Sequence, residues 1–135
     1  MTVLTSSNSL TEKAKDLLDR KVFASFATLN PDGGPQLSTM WVTRDGEDVL
    51  VGTLRGRQKE RNLRRDNRVS LMLTDPEEGE SYVEIRGTAT FTETGARELM
   101  NELSQKYRGK PFPAEPPEKV RVVVRITPTK VIDHD

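Results

Sequence analysis

Between Lys21 and Leu29 apolar and small residues recur with a period of two: Val22, Ala24, Phe26 and Thr28 share one face, and Phe23, Ser25, Ala27 and Leu29 share the other. That alternation predicts a well-buried strand. Before it, Leu10, Ala14, Leu17 and Leu18 recur at helical spacing, predicting a helix from Leu10 to Arg20 with Ser9 as its cap. Asn30 to Pro35 is dense in turn residues, Gln36 to Arg44 extends again, Asp45-Gly46 offers a hairpin turn, and Asp48 to Leu54 completes a three-strand meander. A short charged helix is expected over Arg57 to Asp66, with Leu63 facing inward. Strands follow at Arg68 to Thr74 and Ser81 to Phe91, then a helix from Gly95 to Tyr107 capped by Thr92 or Thr94. After an exposed Pro-rich loop from Gly109 to Pro117, Val120 to Thr127 reads as a sixth strand, and Val131-Ile132 as a brief pairing at the end.

Short hairpin-linked strands with few helices predict a mainly β fold, a small closed antiparallel barrel, because closure removes the sheet edges that would otherwise stay exposed. No composition shift divides the 135 residues, so a single domain over 1–135 is expected, with residues 1–8 as a flexible N-terminus.

Composition narrows the functions. Hydrophobic residues make up 33% and charged residues 31%, a lean supply for a self-sufficient core and a hint of burial against a second copy. Lys+Arg and Asp+Glu both number 21, so no global field favours nucleic acid or membrane, and anion binding has to come from local clustering. The absence of cysteine excludes disulfides, thiolate catalysis and cysteine-ligated metal centres. Neither a secretory leader nor an apolar run of about 20 residues is present, and the expected location is the cytoplasm.

Conventional catalytic sets are missing. The one histidine, His134, is penultimate and reads as a solvated tail residue, and Glu77, Glu78 and Glu80 read as a solvated acidic tip. No catalytic side chain and no metal site is expected, so any difficult chemistry falls to a bound cofactor. The most informative run is Gly52 to Asp66. A strand ends in the Thr53 hydroxyl, a Gly-containing loop follows, and a helix opens with Arg57 and Lys59 in its first turn. The free N–H groups and positive end of such a helix suit a phosphate, with Arg57 as a fork and Lys59 as a point charge. Asn62 is placed to orient the loop through its side chain. Two other readings stand beside this one: Arg55, Arg57, Lys59, Arg61, Arg64 and Arg65 as the wet face of a surface helix, or as a nucleic-acid contact, the latter disfavoured by zero net charge and little aromatic interleaving.

The run Pro35 to Trp41 sets small or flexible residues before a tryptophan, which would let a flat ring lie against the backbone beside an aromatic wall; ordinary barrel core is the equal alternative for Trp41. Farther on, Tyr82, Glu84 and Arg86 share one strand face, lining either a dimer seam or solvent.

Taken in order, Phe26-Ala27-Thr28-Leu29 with its Asp32-Gly33 turn, Pro35 through Trp41, Thr53…Arg57-Gln58-Lys59…Asn62 to Asp66, and Val83-Glu84-Ile85-Arg86-Gly87 resemble the pyridoxamine-phosphate-oxidase-like split barrels, and within them the small actinobacterial deazaflavin-dependent oxidoreductases. The resemblance runs from about Lys21 to Ile132 and includes Tyr107-Arg108-Gly109-Lys110 at the end of the late helix. It implies a split β-barrel homodimer with two cofactor sites at the interface. The ring would rest on Ser38, Thr39 and Met40, with Trp41 as a nearby wall, and the phosphate on Thr53, Arg57, Gln58 and Lys59, while Tyr82 reaches in from the partner subunit. The implied cofactor is coenzyme F420, whose phosphate and glutamyl tail suit the basic cluster, with FMN as the alternative. The implied reaction is hydride transfer from reduced F420 to an electron-poor organic acceptor, water supplying the proton and Tyr82 being the secondary candidate. An FMN-dependent oxidase of the pyridoxamine phosphate type and a non-catalytic cofactor carrier are the competing functions.

Overall fold

The structure, a computed structural model, describes residues 4–135. Eight strands and three helices follow in the order β1 (Leu4–Ser7), α1 (Glu12–Asp19), β2 (Ala24–Leu29), β3 (Pro35–Met40), β4 (Thr43–Asp45), β5 (Asp48–Leu54), α2 (Gln58–Arg65), β6 (Arg68–Thr74), β7 (Tyr82–Thr92), α3 (Ala96–Arg108) and β8 (Arg121–His134). All pairings are antiparallel, and the hydrogen-bonded order is β3-β2-β6-β7-β8-β5-β4, with β1 added beside β8. The two ends of that path, β3 and β4, are consecutive in the chain, separated by Trp41 and Val42 alone. Three peptide units span at most about 11 Å, so the sheet has to curl until its ends meet. The result is the expected barrel, split along the one seam where no ladder runs.

The strand faces explain the closure. Val22, Ala24, Phe26, Val49, Val51, Leu71, Leu73, Ile85, Val124 and Ile126 are buried in one continuous core. Burying a side chain such as Phe26 contributes roughly 1.5–3 kcal/mol. The Lys21–Leu29 strand is buried on that face alone, and Phe23 on the other is 53% exposed. In β8, Val123 sits on the outer face yet is buried beneath α3 with Leu99, Met100, Leu103 and Tyr107. That second cluster is why the strand reads as apolar on both sides.

Several local expectations give way. The three-strand meander does not form: β2 pairs with β3 and β6, while β5 pairs with β4 and β8. The cap of α1 is Thr11, whose Oγ1 accepts from the Ala14 N–H at 3.1 Å, rather than Ser9. Neither Thr92 nor Thr94 caps α3, because β7 runs on through Thr92 and the N-cap is Gly95. The segment expected as a flexible N-terminus over 1–8 contains β1, paired with the chain's end from Leu4↔His134 to Ser7↔Val131; residues 1–3 lie outside the described residues. The expected short terminal pairing is part of a single strand running to His134. His134 is therefore no solvated tail. Its ring stacks on Tyr82 at 4.5 Å, its buried Nδ1 has no partner, and its carbonyl accepts from Lys13 Nζ at 2.9 Å.

Gly87 sits at an irregularity in the β7–β8 ladder, where Arg86 pairs with Lys130 and Gly87 with Pro128, leaving Thr129 bulged. A Cβ there would lie 2.4 Å from the Thr127 carbonyl oxygen, so only glycine lets the two backbones approach.

Candidate functional site

The β5 strand ends at Leu54 and the chain turns through Gly56 into α2, which buries Glu60, Asn62 and Leu63 against the barrel and turns Arg61, Arg64 and Arg65 outward. Arg57 is the N-cap and makes no side-chain capping bond. The first N–H groups of the helix therefore stay unsatisfied and carry its partial positive charge. Glu60, buried in the first turn, reaches back so that its Oε1 accepts from the Gly56 N–H at 2.9 Å, while its Oε2 accepts from Arg64 Nε at 2.7 Å. This caps the turn before the helix and leaves the helix end itself open.

The six cations of this run divide sharply. Arg55 pairs with Glu93, and Arg64 pairs with Glu60 and lies over the Phe91 ring at 4.0 Å. Arg61 donates to the Gly56 carbonyl at 2.6 Å and to Gln58, and Arg65 donates to Asn62 and to the Leu29 carbonyl. Arg57 and Lys59 alone have no side-chain partner among the described residues. Burial, with Arg57 alongside, pulls the Lys59 ammonium below the ordinary lysine value, and no carboxylate opposes the shift. A half-buried lysine without a counter-ion beside a second free cation is poised for an anion. Contacts within the chain thus account for four of the six; of the other two, Arg57 is exposed and Lys59 half-buried.

Asn62 is fully buried and satisfied. Its Nδ2 donates to Thr28 Oγ1 and Asn30 Oδ1, both at 3.0 Å, and its Oδ1 accepts from Gln58 Nε2 at 2.7 Å. It ties α2 to β2 and to the turn after β2, rather than to the Gly-containing loop before the helix. The Gln58 side chain is engaged by Asn62 and Arg61, so what it offers a ligand is its backbone N–H.

On β3, Ser38 Oγ is buried without a partner, Thr39 is exposed and Met40 is 8% exposed. A buried hydroxyl with no partner in the chain is free to bond a ligand or a water. Trp41 lies parallel to Tyr107, with centroids 5.6 Å apart and planes 5° apart. The Tyr107 hydroxyl accepts from the Val42 N–H at 3.1 Å and donates to the Val22 carbonyl at 2.6 Å, which fixes the corner carrying Trp41. Lys106 Nζ adds a bond to the Val42 carbonyl at 2.6 Å, and burial draws its pKa down to about 8. Thr39, Met40 and Trp41 line a cleft of about 200 Å³ together with Gly52, Met100 and Leu103. Thr53, next to Gly52, is 4% exposed and shares the inward face of β5 with Val49 and Val51.

The structure therefore brings Thr39, Met40 and Trp41 to one cleft, with Ser38 beside it on β3; Thr53 follows Gly52 but faces the barrel interior, and Arg57 and Lys59 lie beyond β5 at the start of α2. Tyr82 lies apart. β7 is three strands from β3, roughly 14 Å across a sheet. It borders a separate groove of about 450 Å³ with Leu37, Met72 and Ser70. A larger groove of about 480 Å³ near Arg68 and Arg86 contains none of the expected residues, and its two arginines are held by Asp66 and Glu84. Met100 and Leu103 line this cleft and were not singled out by sequence reasoning. Their helical stripe looked like ordinary core, and no local signal shows which strand the helix covers.

Comparison with known proteins follows this geometry. The profile of the pyridoxamine 5'-phosphate oxidase family matches residues 10–135. An F420 reductase is 30% identical, the match covering 90% of this chain and 98% of that one with a TM-score of 0.80. A conserved hypothetical protein of Mycobacterium tuberculosis is 27% identical over 93% of this chain and 85% of its own, with a TM-score of 0.73. General stress protein 26 of Bacillus anthracis, 20% identical over 89% of each chain, shares the fold with a TM-score of 0.68. With the split barrel in place and the family profile spanning all but the first residues, this chain belongs to the pyridoxamine 5'-phosphate oxidase family of oxidoreductases.

Proposed function

We propose that the protein is an F420-dependent oxidoreductase that passes a hydride from reduced coenzyme F420 to a small electron-poor organic acceptor. The observation that carries this reading is the pair of uncompensated cations, Arg57 and Lys59, at the open end of α2. The family calls for a flavin or deazaflavin, and the residues fit one: an anion site at α2, an orphaned hydroxyl at Ser38, and an aromatic wall at Trp41. The 30% identity to an F420 reductase favours the deazaflavin.

When bound, the cofactor supplies the hydride chemistry. Arg57 and Lys59 clamp its phosphate, with the Gln58 N–H completing the cradle. Ser38, Thr39 and Met40 receive the ring, Trp41 limits its sideways movement, and Asn62 holds the cradle against the barrel. Tyr82 is too far from the cleft within one chain and serves the site of a second copy, covering it from water. The outer sheet face carrying Tyr82 also bears Leu37, 71% exposed, and Met72, 37% exposed, as an apolar seam would. We therefore read the whole chain as one functional unit that works as a cytoplasmic homodimer.

Fluorescence titration with F420 and with FMN tests the cofactor. Saturable F420 binding supports the proposal, and FMN binding without F420 binding overturns it. An FMN-dependent oxidase of the pyridoxamine phosphate type is the second reading, favoured by the family profile. It predicts a yellow protein as purified that consumes oxygen with pyridoxamine phosphate.

A further inference from the structure

The cleft between Trp41 and α3 contains residues to which the cofactor reading gives no work: Gly52, Met100 and Leu103. Its walls differ in stiffness. Trp41 is backed on one face by the parallel Tyr107 ring, and Tyr107 is held by two backbone hydrogen bonds, so this wall is rigid. Opposite it, Met100 Sδ occupies the space that a side chain at position 52 would take: a Cβ on Gly52 would lie 2.4 Å from it. An unbranched thioether adapts to irregular partners at little cost. At about 200 Å³ the cleft has room for one small ring beside the β3 strand that the cofactor reading gives to the deazaflavin. Trp41 stacks on Tyr107 through one face; the face of an indole is its electron-rich part and complements a flat ring poor in electrons. The Thr39 hydroxyl and the Trp41 indole N–H are the two side-chain hydrogen-bonding groups in the lining.

We infer that this cleft is the acceptor subsite, that it takes a small, flat, electron-poor aromatic molecule stacked on Trp41, and that Met100 sets the size it admits. The inference rests on the F420 reading for the identity of the reaction, and on the cleft alone for binding.

Trp41 is the chain's one tryptophan, so its fluorescence reports this cleft directly. The purified protein is titrated with 1,3-dinitrobenzene, alone and with saturating F420. The inference expects saturable quenching that persists when F420 is bound. It also expects quenching to weaken at least tenfold in Gly52→Ala, whose methyl drives Met100 into the cleft, and in Met100→Phe. In turnover, Met100→Ala should raise kcat/KM about tenfold for acceptors one ring larger, through KM, while F420 affinity changes less than twofold. Linear, unsaturable quenching overturns the subsite, and so does displacement of dinitrobenzene by F420, which would give the cleft to the cofactor's own ring. An unaltered acceptor profile in Met100→Ala overturns the gate. If dinitrobenzene saturates but F420 does not bind at all, the acceptor subsite survives and the F420 reading falls. Circular dichroism of each variant separates these outcomes from misfolding.

Discussion

Lys59 and Arg64 lie on the same short helix and look alike in sequence, yet Arg64 is neutralised by Glu60 and Lys59 by nothing. Replacing Lys59 by Ala should weaken F420 binding by about 1.5–3 kcal/mol, the range for a hydrogen bond involving a charged group, and leave the denaturation midpoint almost unchanged. Unchanged affinity by fluorescence titration would return the residue to the solvated surface. The pH dependence has a definite sign. Because burial lowers the Lys59 pKa, affinity for an anion is full below that lowered value and declines as pH rises through it. Stability of the free protein runs the other way: the unfolded chain holds this proton more tightly, so the cost of burying the charge is full below the folded value and is relieved as pH rises toward the ordinary one. F420 dissociation constants measured at about pH 7 and about pH 10 should rise for the wild type and stay level for Lys59→Arg, since arginine does not titrate there.

An eight-residue helix as charged as α2 has no independent stability, and its position depends on what it docks against. Leu63 supplies the apolar contact, and Asn62 supplies the geometry through Thr28 and Asn30. Asn62→Ala should lower stability by about 2–3 kcal/mol, because buried groups lose their partners, and should also weaken F420 binding by displacing the α2 end. Chemical denaturation and titration of one preparation check both. A stable variant with normal affinity would show that the cradle does not need this anchor. Element boundaries show where sequence reasoning ran short. The strands Asp48–Leu54 and Arg68–Thr74 were legible to the residue because alternation and turn residues bound them on both sides. The caps of α1 and α3 were not, because several hydroxyls stood in range and the sheet decided where each helix could begin.

For the whole molecule, the barrel leaves apolar groups on the outer face of β3, β2 and β6, where Leu37 and Met72 are exposed. Tyr82 stands on the same side, against His134. Leu37→Asp should therefore convert a dimer to a folded monomer in sedimentation velocity and reduce F420 affinity at least tenfold, with the circular dichroism of the barrel intact. A wild-type monomer that binds F420 fully would remove the partner's part in the site. None of the described helices is long and apolar enough to cross a membrane.

The alternation of side chains, the turn residues and the basic run after β5 were enough to place most strands, to identify α2, and to support the family resemblance, since all of these are local properties of the chain. Strand order was a different matter. Whether β5 pairs with β3 or β8 depends on which distant segments bury each other's faces, and a period of two is the same for every candidate partner. The same non-local packing decided which of six cations kept a free charge, brought Met100 over Gly52 to form a cleft, and carried His134 from an apparent tail into the sheet beside Tyr82.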